Sequence, residues 1–177
     1  MLHVVTGSGS GKSAYAETEL LRLAKQNNCK KYYIATMEPF GNETLKKIAR
    51  HREMRKDKGF DTLERYVDLK GTAEMLTDRP AVLLECMSNL TANELYDEAG
   101  NMNKPEKVKR QILEGIRHVI EKTDLLVIVT NEVQGDQMEY SEETKIYQRV
   151  LGEVNQSLAG LAEKVTEVVY GIPVEIK

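Results

Sequence analysis

Residues 4–13, Val4-Val5-Thr6-Gly7-Ser8-Gly9-Ser10-Gly11-Lys12-Ser13, constrain the fold more than any other stretch of the chain. An apolar, β-branched run enters a glycine-rich loop, the loop closes on Lys-Ser, and an amphipathic segment follows at once. That order is strand, phosphate-sized cradle, helix N-terminus. Glycines let successive backbone N–H groups converge on one concavity, and the helix start adds partial positive charge. Lys12 is spaced to reach the β- and γ-phosphates of a nucleotide, and the Ser13 hydroxyl to ligate Mg²⁺. The pattern G-x-x-x-x-G-K-[ST] wants a glycine where Thr6 stands, so counted from Gly7 the loop is one residue short. A plain Gly/Ser turn would have no need of Lys-Ser at the helix entrance.

The rest of the chain has the alternation that such a loop requires. Short apolar runs interleave with longer amphipathic segments, the pattern of βαβ units. It predicts strands at Leu2–Thr6, Tyr32–Thr36, Leu63–Val67, Val82–Cys86, Leu125–Thr130, Val165–Tyr170 and Val174–Ile176. Helices are expected at Lys12–Lys25, Glu43–Lys56, Ala92–Ala99, Pro105–Lys122 and Glu142–Glu163, with the last two strands turning at Gly171-Ile172-Pro173. The expected architecture is one α/β domain over residues 1–177, P-loop NTPase-like. Its central sheet is mostly parallel, with helices on both faces and a C-terminal antiparallel strand pair. A length of 177 residues suits one domain at the usual ~100–200 residues.

Charge narrows the partners. Lys+Arg 25 against Asp+Glu 28 gives a net −3, so no global field draws the chain to nucleic acid or an anionic membrane. An anionic ligand must be held by local geometry. The longest uninterrupted apolar run, Leu125 to Val129, is far short of the ~20 residues of a membrane span. Cys29 and Cys86 form no CxxC pair or disulfide framework, and Met1 to Val5 lacks a signal-peptide pattern, so a cytoplasmic setting is expected.

Two further places carry candidate chemistry. In Lys46 to Arg55, helical spacing puts Lys47, His51 and Arg55 at i, i+4 and i+8, with Leu45, Ile48 and Ala49 on an adjacent stripe facing the core. Cationic neighbours disfavour a second charge on the imidazole, which keeps His51 neutral and nucleophilic. On spacing alone such a face reads first as solvated surface, ahead of a nucleophile site. Glu85 ends the apolar run Val82-Leu83-Leu84, where phosphate-loop enzymes place an acid near Mg²⁺, although a carboxylate there also serves as a helix cap. Val129 to Val133 likewise sets polar groups just past a buried strand. His3, in a buried strand, and His118, on an amphipathic helix, have no such constellation.

Read together, the opening VTGSGSGKSAYAE, YIAT at 33–36, KIARHREMR at 47–55, TLE at 62–64, LLEC at 83–86, VTNEV at 129–133, VNQSLA at 154–159 and the closing GIPVEIK resemble one family. It is the bifunctional adenosylcobinamide kinase/adenosylcobinamide-phosphate guanylyltransferase family of cobalamin biosynthesis. The resemblance implies phosphorylation of adenosylcobinamide with ATP or GTP. It then implies transfer of GMP from GTP to adenosylcobinamide phosphate through a GMP-histidine intermediate, which falls on His51. It implies nucleotide contacts at Gly7, Ser8, Gly9, Ser10, Gly11, Lys12 and Ser13, at Ala35, Thr36 and Met37, at Arg52, Glu53, Met54 and Arg55, and at Glu64 and Glu85. Mg²⁺ is expected on Ser13 and Glu85, and a homotrimer as the assembly. The family loop is usually one residue longer, and its glycine-rich stretch after VTNEV is replaced here by Gln134 to Ser141. A kinase of another small alcohol, or a nucleotide-binding switch that has lost the kinase step, are the competing readings.

Overall fold

In the computed structural model, which describes residues 1–9, 11–97, 99–132 and 140–177 and all their side chains but that of Met54, the apolar runs become one seven-stranded sheet. The strands are β1 (Leu2–Thr6), β2 (Lys31–Ala35), β3 (Phe60–Glu64), β4 (Ala81–Glu85), β5 (Leu125–Val129), β6 (Lys164–Val169) and β7 (Ile172–Glu175). Their order is β3-β2-β4-β5-β1-β6-β7, and every pairing is parallel except β6 with β7. The helices are α1 (Lys12–Asn27), α2 (Gly41–Arg55), α3 (Leu69–Ala73), α4 (Met87–Leu95), α5 (Pro105–Lys122) and α6 (Glu142–Leu161).

Alternation along the strands sorts the side chains to two faces. On one, Val5, Tyr33, Leu83 and Val127 pack under Ala16, Leu20 and Ala24 of α1. On the other, Ile34, Leu84 and Ile128 meet Leu90 of α4, Ile112 and Ile116 of α5, and Leu151 and Val154 of α6. Both faces of β4 and β5 are covered, which is why these strands are continuous apolar runs. Parallel register aligns Glu64, Ala35, Glu85, Val129 and Val5 in one row at the carboxyl edge, with side chains toward the α1 face. That edge is where open α/β sheets place their ligands.

Several boundaries differ from expectation. β3 lies at Phe60–Glu64 rather than Leu63–Val67, because Lys31 pairs with Phe60 and the ladder closes where Arg65 N–H donates to the Ala35 carbonyl at 2.9 Å. The helix expected at Ala92–Ala99 is α4, which begins directly after β4 so that Met87 and Leu90 can bury. α3 had no expectation; the Asp68 carboxylate caps it by accepting from Gly71 N–H at 3.0 Å. The C-terminal hairpin turns at Tyr170-Gly171, φ 49° and 81°, not at Gly171-Ile172-Pro173. Those paired positive φ values suit the two-residue turn that matches strand twist. Leu45 and Ala49 of α2 are exposed and Ile48 only half-buried, so the stripe assigned to the core does not reach it. No helix among the described residues is long and apolar enough to cross a membrane.

The hairpin also presses on the phosphate loop. A Cβ on Gly7 would sit 2.4 Å from the Val168 carbonyl oxygen, and one on Gly11 2.9 Å from Gly171 Cα. Gly7 holds φ 130° as well, so neither space nor backbone admits a side chain there. The substitution Gly7→Ala is expected to lower the unfolding free energy by ~2 kcal/mol or more, read by urea denaturation.

His3 of β1 is fully buried, its Nε2 2.9 Å from Thr166 Oγ1 and its ring edge-on to Tyr15. Burial, with Lys164 adding to it, lowers its pKa from 6.5 to about 4. Between those values the unfolded chain binds a proton that the folded chain refuses. The stabilisation is therefore complete above pH 6.5 and is lost as pH falls toward 4, by ~3 kcal/mol in all. Urea unfolding at pH 7 and pH 4.5 should show this loss, and His3→Asn should remove that component of the pH dependence.

Candidate active site

A carboxylate organises the carboxyl edge. Glu85, the last residue of β4, has a side chain only 11% exposed and is met from three elements. Ser13 Oγ, in the first turn of α1, donates to Oε1; Tyr33 Oη, from β2, donates to Oε2 at 2.6 Å. His51 Nδ1, from α2, lies 3.7 Å from Oε1, longer than a hydrogen bond. Burial pushes the Glu85 carboxyl upward, but His51 and the hydroxyls of Ser13 and Tyr33 outweigh it and hold the group below the usual carboxylate range. The Tyr33 phenol is driven the other way, by its burial and then by the Glu85 charge.

Lys12 is buried at the mouth of the loop, its Nζ donating to the Gly9 carbonyl at 2.9 Å. Burial lowers its pKa against the opposing pull of Cys86, Glu132 and Glu85. A cavity of about 550 Å³ opens here, with Gly9, Gly11, Lys12 and Ser13 on one side, Lys47, Arg50 and His51 on the other, and Glu85 and Asn131 between. A second cavity of about 330 Å³ lies beneath α2, lined by Tyr33, Ala35, Leu45, Ile48, Arg52, Arg55 and Glu64. Met37, His51, Glu85 and Cys86 line both. The apolar stripe of α2 thus faces a cavity instead of the core.

Of the expected site residues, Gly9, Gly11, Lys12, Ser13, Met37, His51 and Glu85 come together around the loop cavity. Gly7 is buried under the hairpin and Ser8 is exposed, while Ser10 lies outside the described residues. Ala35, Arg52, Arg55 and Glu64 line the inner cavity, Arg52 pairing with Glu64. Thr36 is fully buried and braces the β4 exit, its Oγ1 donating to the Cys86 carbonyl and accepting from Cys86 N–H, both at 2.7 Å. Glu53 is exposed toward Lys56 at 3.7 Å and lines neither cavity. The Met54 side chain and residues 133–139, most of the altered stretch Gln134 to Ser141, lie outside the described residues.

The cationic ridge around His51 does not form as expected. Eight residues of helix overshoot two turns by ~80°, so Arg55 swings away from Lys47. Arg55 buries instead, its guanidinium 3.5 Å from the centre of the Tyr33 ring, and the charge nearest to His51 is the Glu85 carboxylate. Tyr33 itself was missed; its signal was a tyrosine two residues before Ala35 on the strand beside Glu85, whose meaning depends on the β2–β4 register. Asn155, inside the quoted VNQSLA, has a part too: Nδ2 donates to the Asn131 carbonyl at 3.0 Å, and Oδ1 accepts from Thr130 Oγ1 at 2.7 Å.

Ser13 and Glu85 offer a hydroxyl and an ionised carboxylate in direct contact. Among the described residues no group of three or more His, Cys, Asp and Glu side chains could hold a metal. A pair of hard oxygens suits Mg²⁺, which keeps waters and takes its other ligands from phosphates, better than a metal needing a protein cage.

The bifunctional adenosylcobalamin biosynthesis protein CobU of Escherichia coli is 30% identical over 186 residues, and that of Salmonella typhimurium 34% over 188, each covering 100% of this chain and 99% of the relative. CobP of Pseudomonas aeruginosa, of the same description, is 27% identical, covering 98% of this chain and 95% of that one. The fold is similar to that of flagellar accessory protein FlaH from Methanocaldococcus jannaschii, with TM-score 0.53 and 14% identity over 99% of this chain and 77% of that one. The KaiC-like protein of Pyrococcus horikoshii gives TM-score 0.50 and 11% identity over 94% and 69%. The family described as cobinamide kinase / cobinamide phosphate guanyltransferase matches residues 2–176, and with the relatives' full-length coverage this shows that the chain belongs to that family.

Proposed function

We propose that a single nucleotide region serves both reactions of the family, with His51 as the guanylyl carrier. The observation that carries this reading is that His51 and the phosphate loop line one cavity, with Glu85 touching the groups on both sides. In the first reaction the hydroxyl on the aminopropanol arm of adenosylcobinamide attacks the γ-phosphorus of ATP or GTP. The bond to the bridging oxygen breaks, and the nucleoside diphosphate leaves. Loop amides and Lys12 hold the phosphates throughout. Mg²⁺, when bound by Ser13 and Glu85, supplies positive charge to the phosphate oxygens.

The second reaction uses the imidazole. Glu85 faces Nδ1, which orients the ring and leaves Nε2 as the attacking atom. A bond forms from Nε2 to the α-phosphorus of GTP, the bond to the β-bridging oxygen breaks, and pyrophosphate leaves. A phosphate oxygen of adenosylcobinamide phosphate then attacks the same phosphorus, the N–P bond breaks, and adenosylcobinamide-GDP forms with the imidazole restored. Lys47 and Arg50, on the histidine side of the cavity, neutralise charge on the departing pyrophosphate. We assign residues 1–177 to one domain. The exposed Ile172, Val174 and Ile176 at the C-terminal edge give the expected homotrimer an apolar surface.

Incubation with GTP and Mg²⁺ should add one GMP to the wild-type chain by intact-mass analysis, and His51→Ala should show none. Guanylyl transfer by that variant should fall by more than ~10³ while phosphorylation of adenosylcobinamide with ATP persists. A GMP adduct on His51→Ala, or phosphorylation with no adduct on wild type, would overturn the role of His51. For Tyr33→Phe, which keeps the ring under Arg55 but removes a donor from a buried carboxylate, urea unfolding should show a loss of ~1–3 kcal/mol.

A further inference from the structure

Three cavities meet at Met37: the loop cavity, the inner cavity beneath α2, and an outer groove of about 790 Å³, the most spacious of the three. We propose that this outer groove seats the corrin macrocycle of the acceptor, so that only the acceptor's arm enters the loop cavity. The assignment rests on the reading that the loop cavity is the phosphoryl and guanylyl site.

The groove's surface suits a broad ring. Phe40, ahead of α2, is 83% exposed and Val67, after β3, is 45% exposed; Tyr66 and Tyr96 add half-buried aromatic faces from the β3 exit and the end of α4. A lone exposed apolar residue needs no explanation. Two such side chains with two half-buried tyrosines, from three separate segments, around one concavity at the mouth of a reaction site are the mark of a ligand surface. The wall is built in advance: Asn93 Nδ2 donates to the carbonyls of Thr36 and Tyr66, each at 2.9 Å, and so ties α4 to the ends of β2 and β3.

Position agrees with surface, and although Glu38 and Asp97 also line the groove, a cation stands at its junction with the loop cavity. The acceptor is a macrocycle with a short arm ending in a hydroxyl or a phosphate, and the chemistry takes place at the tip of that arm. Its ring must therefore lie outside the phosphate cavity yet open into it. Lys47 stands at the seam, lining both the groove and the loop cavity, where a phosphate on the arm has to pass. Asn89, shared between the groove and the inner cavity, brings a side-chain amide to a substrate whose rim carries amides.

The test uses Phe40→Ser, which places a favoured residue at the α2 N-cap, and Val67→Ser. Cobinamide binding is read by ultrafiltration through its own visible absorbance, alongside KM for cobinamide and cobinamide phosphate. Each variant should weaken cobinamide binding and raise both KM values by about tenfold. GMP-adduct formation from GTP alone should stay at the wild-type rate. Unchanged cobinamide affinity in both variants would overturn the proposal, as would loss of adduct formation in step with acceptor binding. A changed oligomeric state by sedimentation with acceptor KM intact would also overturn it, marking the patch as a subunit contact. If wild type binds cobinamide but forms no GMP adduct, the role of His51 fails while the binding comparison still decides the groove.

Discussion

The buried carboxylate of Glu85 is the point on which the carboxyl edge is built. An ionised carboxyl at the end of a central strand is costly to desolvate, and it stays charged only if donors converge on it. Here Tyr33 donates from the next strand and Ser13 from the helix after the phosphate loop, and His51 of α2 stands 3.7 Å away. Each contact ties an otherwise separate element to β4. The Ser13 contact sets the first turn of α1 against the sheet. Tyr33 carries the connection onward, because its ring supports the guanidinium of Arg55 at the far end of α2. One acid therefore bears, directly and through Tyr33, on the C-terminal part of α2, the part that holds the histidine.

How much of this could be read from residue order depends on whether the relevant forces are local. The strand-loop-helix opening, the buried runs of β4 and β5 and the stripe of α5 were legible, since each depends on neighbours a few residues away. β3 was misplaced because it is an edge strand with charged positions, and its register comes from pairing with Lys31 to Ala35 rather than from its own pattern. α4 was placed late because it follows β4 with no glycine or proline between them. At the site, Lys12, Ser13, His51 and Glu85 could be named, but not the contact between His51 and Glu85, nor the role of Tyr33. Both arise from residues 34 and 52 positions apart in sequence, brought together by strand order.

α2 shows the same limit in energetic terms. Its apolar residues are too few and too exposed to dock it as a core helix, and its stripe over Leu45, Ile48 and Ala49 spans a cavity. What attaches it is concentrated at its C-terminal side: Arg55 on Tyr33, His51 beside Glu85, and just beyond the helix Lys58 paired with Glu17 of α1. The stability that a filled core would add is missing there, and in its place is space next to the phosphate loop.

That space bears on how a chain of net charge −3 would offer the proposed triphosphate site. Cations that pair on the outer surface contribute little, since solvent screens them. One cation is held where water is scarce, Lys12 buried in the loop, and the exposed Lys47 and Arg50 stand across the cavity from it. Glu85 and Glu132 lie close enough to Lys12 to offset part of its charge in the protein alone. A partly offset lysine of this kind suits phosphates without standing as an open anion trap. In the proposed mechanism it also lets the same few groups act on the γ-phosphorus in one reaction and the α-phosphorus in the next. The choice between them then rests on which acceptor reaches the cavity, the cobinamide arm or the imidazole of His51.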